Sequence, residues 1–445
     1  MRRVVAVLMG VAIVIVAGGV AEAAITHRQD GPFGMLVAAS SADQQPEQDS
    51  PVNKVSKKAA GAAAAKAAKV APAPSLIGGV EPVHQVLDLL GHQRTELHYA
   101  EAEYVKPHFS NLLLLPGQYL KVSDPAGRES RYYGPEGLPL ADPASLLDLG
   151  KTLSGGPLKG VDTWAMSVPG DTAVLEVVSK RLPTDKLGLP TEKLGGLGVT
   201  VDKVARGFSK KELAAKQKSR TESVCKRDDK SDAVCFQSEY PKEFEHSKPV
   251  ARLLINGVEL CTAWRIGANN RMLTNQHCIA SQRDVSNTEV WFNYQCEVCG
   301  ASKSGPVTKV NGDQFLATDD KLDFALFSVD DFEAVKPFGY LELDDRRPDA
   351  GEEIYIPQHP GGTTKQIAMF SDTDGGANCK VDDPNFEGYG PGTDVSYFCD
   401  TEGGSSGSPV LSRRTHKVVA LHHFGGCPNS GVRVDLIQKK IAGKL

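Results

Sequence analysis

The stretch C-D-T-E-G-G-S-S-G-S-P-V-L, from Cys399 to Leu411, decides how the C-terminal half of this chain is interpreted. Tracts of glycine and serine are usually flexible linkers. This tract lies between Tyr397-Phe398-Cys399 and an apolar Pro409-Val410-Leu411, and both flanks belong in a folded core. Two interpretations follow, a spacer or a shaped loop in which one serine is a nucleophile.

A nucleophilic serine needs a base that takes its proton and an acid that orients the base. Four histidines lie in suggestive contexts: His277, His359, His422 and His423. His277 ends the apolar R-M-L-T-N-Q-H-C, and Cys278 follows it directly. A bridge from Cys278 to Cys261 would close a β-hairpin and fix His277 at its base, so this histidine is the preferred base.

The preferred acid is Asp323, in K-L-D-F-A-L-F-S-V. It begins an apolar strand that would shield its carboxylate from water, as the orientation of an imidazole requires. The other nearby aspartates are interpreted as solvated loop residues: Asp319, Asp320, Asp330 and Asp331.

The order His277, Asp323, Ser406 and the sequences around them resemble the trypsin-like serine endopeptidases, nearest to the bacterial lysyl and glutamyl endopeptidases. T-N-Q-H-C resembles the histidine box, L-D-F-A-L-F the aspartate strand and G-G-S-S-G-S-P the nucleophile loop. The resemblance extends from about Ser223 to the C-terminus. It implies a chymotrypsin-like double β-barrel with a short C-terminal helix, acting on protein or peptide substrates without cofactor or metal.

The resemblance also implies a role for each residue. Ser406 attacks the scissile carbonyl, His277 relays the proton, and Asp323 orients His277. The backbone N–H groups of Gly404 and Ser406 form the oxyanion hole, for which glycine at 404 supplies the necessary backbone shape. On this interpretation the tract is a reactive loop.

All nine cysteines lie between Cys225 and Cys427. Beside the Cys261–Cys278 bridge, the resemblance implies Cys225–Cys427 and Cys235–Cys299. A Cys379–Cys399 bridge is expected from its proximity to the Ser406 loop. Cys296 is then left unpaired. The Cys296-Glu-Val-Cys299 motif also suggests zinc, but no further pair of ligands at similar spacing is evident, and disulfides are favoured in an exported chain.

The prediction of specificity depends on Asp400, which lies six positions before the nucleophile. In the trypsin-like fold, this position forms the floor of the pocket that binds the residue before the scissile bond. A carboxylate there favours Arg or Lys. Asp400 could instead bond to backbone. His422 and His423 support an alternative, since glutamyl endopeptidases bind an acidic residue with a histidine near this position. Cleavage after Arg or Lys is preferred, with cleavage after Glu as the alternative.

Two other function classes compete with a protease. Gly403-x-Ser405-x-Gly407 matches the nucleophile elbow of esterases, but that fold needs an acid and then a histidine after the serine. The only later aspartate, Asp435, follows every histidine, so this interpretation fails. A catalytically silent protease fold that only binds is the other alternative. The presence of all three triad residues favours an active enzyme.

The rest of the 445-residue chain divides by composition. A positive start, an apolar run and an Ala-x-Ala ending predict a signal peptide over 1–23, of bacterial appearance, and hence a protein secreted to the cell exterior or periplasm with no membrane span after cleavage. An Ala/Pro/Lys-rich tether follows over 24–74, and a basic linker is predicted over 209–221. The net charge of −5 gives no reason to expect nucleic acid as a partner.

Between tether and linker, residues 75–208 contain short alternating segments separated by Pro-Gly and Asp-Pro turns, which predict an antiparallel β-sandwich. The segment resembles sandwich modules that accompany secreted bacterial proteases, and it is expected to be a pro-domain or a ligand-binding module. The protease domain is predicted over 222–445. It should end in a helix with Val434, Ile437 and Ile441 on one face.

Overall fold

The structure is a computed structural model that describes residues 73–88, 92–114, 118–134, 160–179, 197–217, 224–301 and 304–445. The expected signal peptide, almost all of the expected tether, residues 218–221 of the expected linker and the first two residues of the expected protease domain lie outside this range. In the part of the chain that is described, no helix is both long and apolar enough to cross a bilayer.

The described residues between 78 and 207 form two antiparallel sheets, which we call the two-sheet unit. With strands numbered along the chain after β1 (Ser75–Leu76), one sheet has the order β2 (Gly78–Leu87), β10 (Gly198–Gly207), β4 (Tyr104–Leu113), β7 (Val161–Trp164), with β8 (Val168–Pro169) also on β4. The other has the order β3 (Arg94–His98), β9 (Thr172–Ser179), β5 (Gln118–Ser123), β6 (Ser130–Tyr133). Both sheets contribute to one buried apolar core, exemplified by Phe109, Leu120 and Leu175.

The predicted alternating strands recur in β4, β5 and β9, but the predicted strand through residues 163–168 is divided. The Ala165 amide still donates to the Pro107 carbonyl of β4 at 2.9 Å, but the amides of Met166 and Ser167 have partners outside this sheet. The Met166 amide donates to the Tyr133 hydroxyl at 2.7 Å, and the Ser167 amide donates to Glu289 at 2.8 Å. This break directs Ser167 into the neighbouring domain.

The following domain begins with a closed barrel of six antiparallel strands. They are β12 (Val250–Ile255), β13 (Glu259–Arg265), β14 (Met272–Thr274), β15 (Thr288–Phe292), β16 (Thr308–Asp319) and β17 (Phe324–Val329). The order β13-β12-β15-β16-β17-β14 closes because β14 also pairs with β13. Nearly every residue of β12, β13 and β17 is buried, as expected of strands covered on both faces. The predicted barrel is therefore confirmed.

A second antiparallel sheet completes this domain, with the order β11 (Ser231–Asp232), β19 (Gln366–Ala368), β18 (Ile354–Gln358), β23 (Pro409–Ser412), β24 (Val418–Phe424), β25 (Asn429–Arg433), β22 (Asp394–Tyr397). A small hairpin of β20 (Phe370–Ser371) and β21 (Ala377–Asn378) lies beside it. The largest core cluster joins barrel and sheet through Trp264, Leu273, Tyr355 and Leu421.

Helices are short. They are α1 (Lys210–Gln217), α2 (Pro241–Ser247), α3 (Gln282–Ser286), α4 (Phe332–Val335) and α5 (Val434–Ile441), with 3₁₀ turns at Ala233–Phe236, Lys336–Phe338 and Pro360–Gly362. The predicted C-terminal helix is confirmed as α5. Its predicted face is buried, because Val434, Ile437 and Ile441 all pack into the largest core cluster.

Three disulfides are present: Cys225–Cys427, Cys235–Cys299 and Cys261–Cys278. The expected Cys379–Cys399 bridge is not formed. These two cysteines interact as buried free thiols, and the Cys379 thiol donates to the Phe370 carbonyl at 3.2 Å. Cys296 is a free buried thiol.

The two-sheet unit is joined to the barrel by a strand and by buried charges. β1 pairs antiparallel with β13. Glu289 of β15 is fully buried and accepts from Lys106 of β4, from the backbone and hydroxyl of Ser167, and from Trp291 at 2.8 Å. The Lys309 ammonium donates to the Ser167 carbonyl at 3.0 Å. Hydrogen bonds therefore satisfy the carboxylate that the interface buries.

Candidate active site

His277 follows strand β14 and is fixed from several directions. Its backbone N–H donates to Asp323 Oδ1 at 3.0 Å, and its Nδ1 lies 2.8 Å from Asp323 Oδ2. The Cys261–Cys278 disulfide ties the adjacent residue to β13. Beside an ionised carboxylate Nδ1 carries the proton, so Nε2 has the lone pair of a base. Nε2 is buried and has no hydrogen-bond partner among the described residues.

Asp323 lies directly before β17 in a left-handed backbone conformation, with φ of 44°. Such a conformation is strained for an aspartate and persists where the surroundings hold it. The Asn275 side chain donates to its carbonyl at 2.9 Å. Burial acts to raise the pKa of Asp323, but hydrogen bonds from His277 and His423 outweigh burial and hold that pKa well below its usual value. Asp323 is therefore a permanent carboxylate at neutral pH.

A second histidine contacts the same carboxylate from β24. His423 Nδ1 lies 3.1 Å from Asp323 Oδ2, and its Nε2 lies 2.7 Å from Asp394 Oδ2. Ser430 also donates to Asp394, at 2.9 Å. Burial opposes a charge on His423, yet the two carboxylates raise its pKa to about 9. His423 is thus an imidazolium held between two aspartates.

The loop that carries Ser406 is held against strand β13. The Thr262 amide donates to the Ser406 carbonyl at 2.8 Å, and the Thr262 hydroxyl donates to the Gly404 carbonyl at 2.9 Å. Gly404 has φ of 102°, and a Cβ there would lie 2.4 Å from Leu260 Cδ2. Only glycine fits that position without displacement of the barrel wall.

The serines of this loop differ in environment. Ser405 is fully buried and its hydroxyl donates to Gln358 at 2.5 Å, while Ser408 is fully buried with no partner for its hydroxyl in the described part of the chain. Ser406 alone of the three is partly exposed. The backbone amides of Gly404 and Ser406 donate to no acceptor among the described residues, so both are available to a substrate oxygen.

The structure brings His277 and Asp323 into contact, and it ties both Ser406 and the residue after His277 to β13. Thr262 of β13 holds Ser406, and the preceding Cys261 is bridged to Cys278. No hydrogen bond joins the Ser406 hydroxyl to His277 Nε2 among the described residues. In enzymes without bound substrate this contact is often long, and it tightens in the reacting complex.

Asp400, the predicted specificity residue, is almost completely buried, and each of its oxygens accepts a backbone N–H. The donors are Cys225 at 3.1 Å and Asp229 at 2.8 Å. Burial raises the pKa of this carboxyl. Both donors belong to the segment that precedes the barrel, so the backbone partners are distant in sequence rather than local.

Three further histidines from the sequence analysis, His422, His423 and His359, are either neutral or already paired with carboxylates. Burial and the neighbouring His423 cation lower the pKa of His422 to about 3, and its Nδ1 lies 2.7 Å from the Tyr397 hydroxyl. Both nitrogens of His423 are occupied by carboxylates. Burial holds the pKa of His359 well below its usual value. No one of these three is placed to offer an unpaired cation to an acidic substrate.

One group of potential metal ligands occurs beside the site, formed by Cys261, His277 and Cys278. The two sulfurs are joined in a disulfide, so neither is available as the thiolate that zinc requires. Cys299 of the C-x-x-C motif is likewise bonded to Cys235.

Residues 261–421 match the family described as the trypsin-like peptidase domain. This segment begins at the cysteine bridged beside His277 and ends just before the two histidines of β24. The match supports a trypsin-like peptidase domain within the predicted segment, whose bounds of 222–445 stay a prediction.

The chain is similar to two curated proteins. It is 39% identical over 219 residues to the "Secreted RxLR effector protein 73" of Plasmopara viticola, a match that covers 47% of this chain and 53% of that protein. It is 29% identical over 169 residues to the "Uncharacterized protein y4fB" of Sinorhizobium fredii, covering 35% of this chain and 24% of that protein. The chain thus spans about half of the first relative and about a quarter of the second.

Among solved structures, a Glu endopeptidase in complex with MPD aligns with 50% of this chain and 100% of its own, at 21% identity and a TM-score of 0.37.

Proposed function

We propose that the chain is a secreted serine endopeptidase that cleaves peptide bonds through a Ser406–His277–Asp323 triad. The observation that carries the proposal is the pairing of His277 with a buried, ionised Asp323, while His277 Nε2 has no hydrogen-bond partner in the described part of the chain. A histidine in this tautomer is a general base for a nearby hydroxyl.

The chemistry follows from the groups in place. His277 Nε2 takes the proton of the Ser406 hydroxyl as its oxygen attacks the scissile carbonyl. The amides of Gly404 and Ser406 stabilise the negative oxygen that forms, and the imidazolium of His277 is stabilised by Asp323. The same proton is then given to the leaving amine, and water repeats the sequence to release the acyl group.

For the residue before the scissile bond we propose Arg or Lys, recognised through Asp400. A carboxylate has about four lone-pair sites. The two backbone donors therefore leave acceptor capacity for a cation. Cleavage after Glu has less support, since His422 is neutral and His423 is already paired with Asp323 and Asp394.

Secretion is supported by the three disulfides and by the printed name of the Plasmopara viticola relative. Disulfides persist in oxidising compartments. Ser405 donates to Gln358, and a serine cannot form the ion pair with a new N-terminus on which trypsin-type activation depends. Activity should therefore need no newly cut N-terminus.

Labelling with a fluorophosphonate probe tests the proposal. Wild-type protein should be labelled at Ser406, and labelling should vanish in Ser406→Ala and in His277→Ala. Folded wild-type protein that stays unlabelled would support the alternative of a catalytically silent binding module.

Specificity is tested with a peptide library in which the residue before the scissile bond is varied, and Asp400→Ser is the comparison. Cleavage after Glu, or a basic preference that survives Asp400→Ser, would contradict the assignment of Asp400.

A further inference from the structure

The edge of β13 beside Ser406 already carries another strand of the same chain. Thr262 donates its amide to the Ser406 carbonyl, so this edge of β13 faces the nucleophile loop. Leu260 lies two residues earlier and, in a strand, directs its backbone groups to the same side. Those groups face β1, where Ser75 is the partner of Leu260 and Leu76 the partner of Glu259. β1 therefore continues the line that starts at the nucleophile.

The pairing uses the main chain of Leu260. The Ile77 amide donates to the Val258 carbonyl at 2.8 Å. In an antiparallel ladder hydrogen-bonded pairs alternate with non-bonded ones, so the Ser75–Leu260 pair, two residues along, is hydrogen-bonded too. Ser75 is buried, whereas the Leu76 side chain faces outward and is 41% exposed.

The side chains of this strand also pack against the oxyanion loop. Leu260 is the residue that a Cβ on Gly404 would strike. A Cβ on Gly362 would lie 3.2 Å from Leu260 and 3.7 Å from Ile77. Ile77 and Leu260 belong to one buried cluster that also contains Tyr104 and Trp291. β1 thus lies against the same leucine that backs the loop of the nucleophile.

The direction of β1 matters. Along β13 the step from Leu260 to Thr262 approaches Ser406, and β1 runs antiparallel to β13. The chain traced backward from Ser75 through Pro74 and Ala73 therefore heads toward the nucleophile. At about 3.4 Å per residue, two residues bring it level with Thr262. Ala73 is exposed in the part of the chain that the structure describes.

We propose that β1 occupies the subsite for the residues that follow the scissile bond, so that the protein holds its own active site partly filled. The inference rests on the proposed peptidase function. An extended substrate adds to a free sheet edge by main-chain hydrogen bonds, and beside Ser406 that edge is taken by β1. A long peptide must displace β1, whereas a small ester with no residues after the scissile bond does not compete with it. β1 is only two residues long, so its displacement breaks few bonds.

The test compares two probes in the full chain: an acetylated amino-acid thiobenzyl ester, and an internally quenched peptide with the same amino acid followed by four more residues. Leu76→Cys with Glu259→Cys locks β1 in place, because a non-bonded antiparallel pair has Cα atoms about 4.5 Å apart, within disulfide reach. Leu76→Ser with Glu259→Ser is the matched control. Ser75→Pro removes an N–H and loosens β1.

The locked variant should cleave the peptide at least about tenfold more slowly than the serine control, equivalent to 1.4 kcal/mol, with ester hydrolysis unchanged. Ser75→Pro should raise the ratio of peptide to ester turnover. Equal ratios in all variants, with ester turnover intact, would overturn the inference and show β1 to be only an anchor. A wild-type protein that neither hydrolyses the ester nor takes the fluorophosphonate would refute the proposed function, and the inference with it.

Discussion

Asp394 holds His423 as a cation against the far side of Asp323, the carboxylate that also binds His277. The two bonds of His423 measure 2.7 Å to Asp394 and 3.1 Å to Asp323. The imidazolium is fully buried, and its other titratable neighbours are His422, His277 and Tyr389. His277 therefore faces a carboxylate whose charge is partly offset from behind.

Asp394→Asn should weaken the alkaline loss of stability that His423 causes. Without Asp394, His423 loses its stronger charged partner, while burial still opposes its charge. The free energy of unfolding of the variant should therefore fall less than that of the wild type as the pH rises from about 6.5 to 9, which thermal unfolding across this range measures.

Ser430→Ala is the control for Asp394, because it removes a hydrogen bond from Asp394 but leaves every charge in place. Its stability should depend on pH as that of the wild type does. If Asp394→Asn keeps the wild-type dependence of stability on pH, Asp394 does not hold the charge of His423. The contribution of His423, whose pKa is raised to about 9, should be complete below about pH 6.5 and disappear as the pH rises through 9.

Ser406→Ala should reduce turnover on the order of a million-fold, as loss of a triad nucleophile does. Ser408→Ala should retain most activity, since the Ser408 hydroxyl has no partner to lose in the described structure. Ser405→Ala removes the bond to Gln358, whose amide also supports the Asp400 carbonyl, and should cost activity modestly. Steady-state kinetics on the library peptide decides this. Comparable losses at Ser405 and Ser406 would require a different nucleophile.

Gly404→Ala should lower kcat by about 10² to 10³, the usual effect of losing an oxyanion donor. The new Cβ would lie 2.4 Å from Leu260 Cδ2 and 2.9 Å from the His359 carbonyl, so the loop must shift. Gly267→Ala is a matched control, because Gly267 also has a positive φ, 63°, but no atom of the described residues lies within 4 Å of its added Cβ. Both variants should lose some thermal stability. Equal activity in the two would argue against an oxyanion role for Gly404.

Lys106→Met should destabilise the junction of the two domains. Removal of one partner from a buried ion pair costs about 3–5 kcal/mol, because the other charge stays buried. Lys309 remains near Glu289 and still compensates its charge, so the loss of stability should lie toward the lower end of this range. Lys210→Met, at an exposed position, is the control. Denaturant unfolding measures the difference, and an equal stability of both variants would mean that Glu289 is satisfied without Lys106.

The same carboxylate predicts an acid limit. Burial would raise the pKa of Glu289, but Lys106 and Lys309 lower it from 4.5 to about 2. Its contribution to stability is thus present above about pH 4.5 and is lost as the pH falls through 2. Glu289→Gln should flatten the dependence of stability on pH in this window. If the stability of that variant depends on pH in the same way as that of the wild type, a group other than Glu289 causes the acid sensitivity.

Sequence reasoning succeeds where chemistry is encoded locally. The segments around His277, Asp323 and Ser406 each combine a reactive residue with a strand end or a glycine turn, and the barrel that carries the first two is confirmed. The helix of Val434 and Ile437 is likewise predicted from its spacing, because a buried face repeats with the period of the helix.

What sequence misses depends on long-range packing. Asp394 begins a short strand without any motif, and only the fold brings it to His423. Asp400 allowed two interpretations, and its backbone donors come from Cys225 and Asp229, far away in sequence. Ser75 and Leu76 are too short a pair to show alternation, so nothing local predicts that they complete the edge of β13.

The junction at Glu289 has a consequence for the covalent architecture. Every cysteine lies at or beyond Cys225, so no disulfide crosses from the two-sheet unit to the barrel, and the described contacts between them are all noncovalent. The contact between the two-sheet unit and the barrel domain thus resembles an interface between subunits. The connecting peptide only sets the effective concentration at which the two domains meet. A single cut in the basic segment would turn one polypeptide into a heterodimer without breaking any of those contacts.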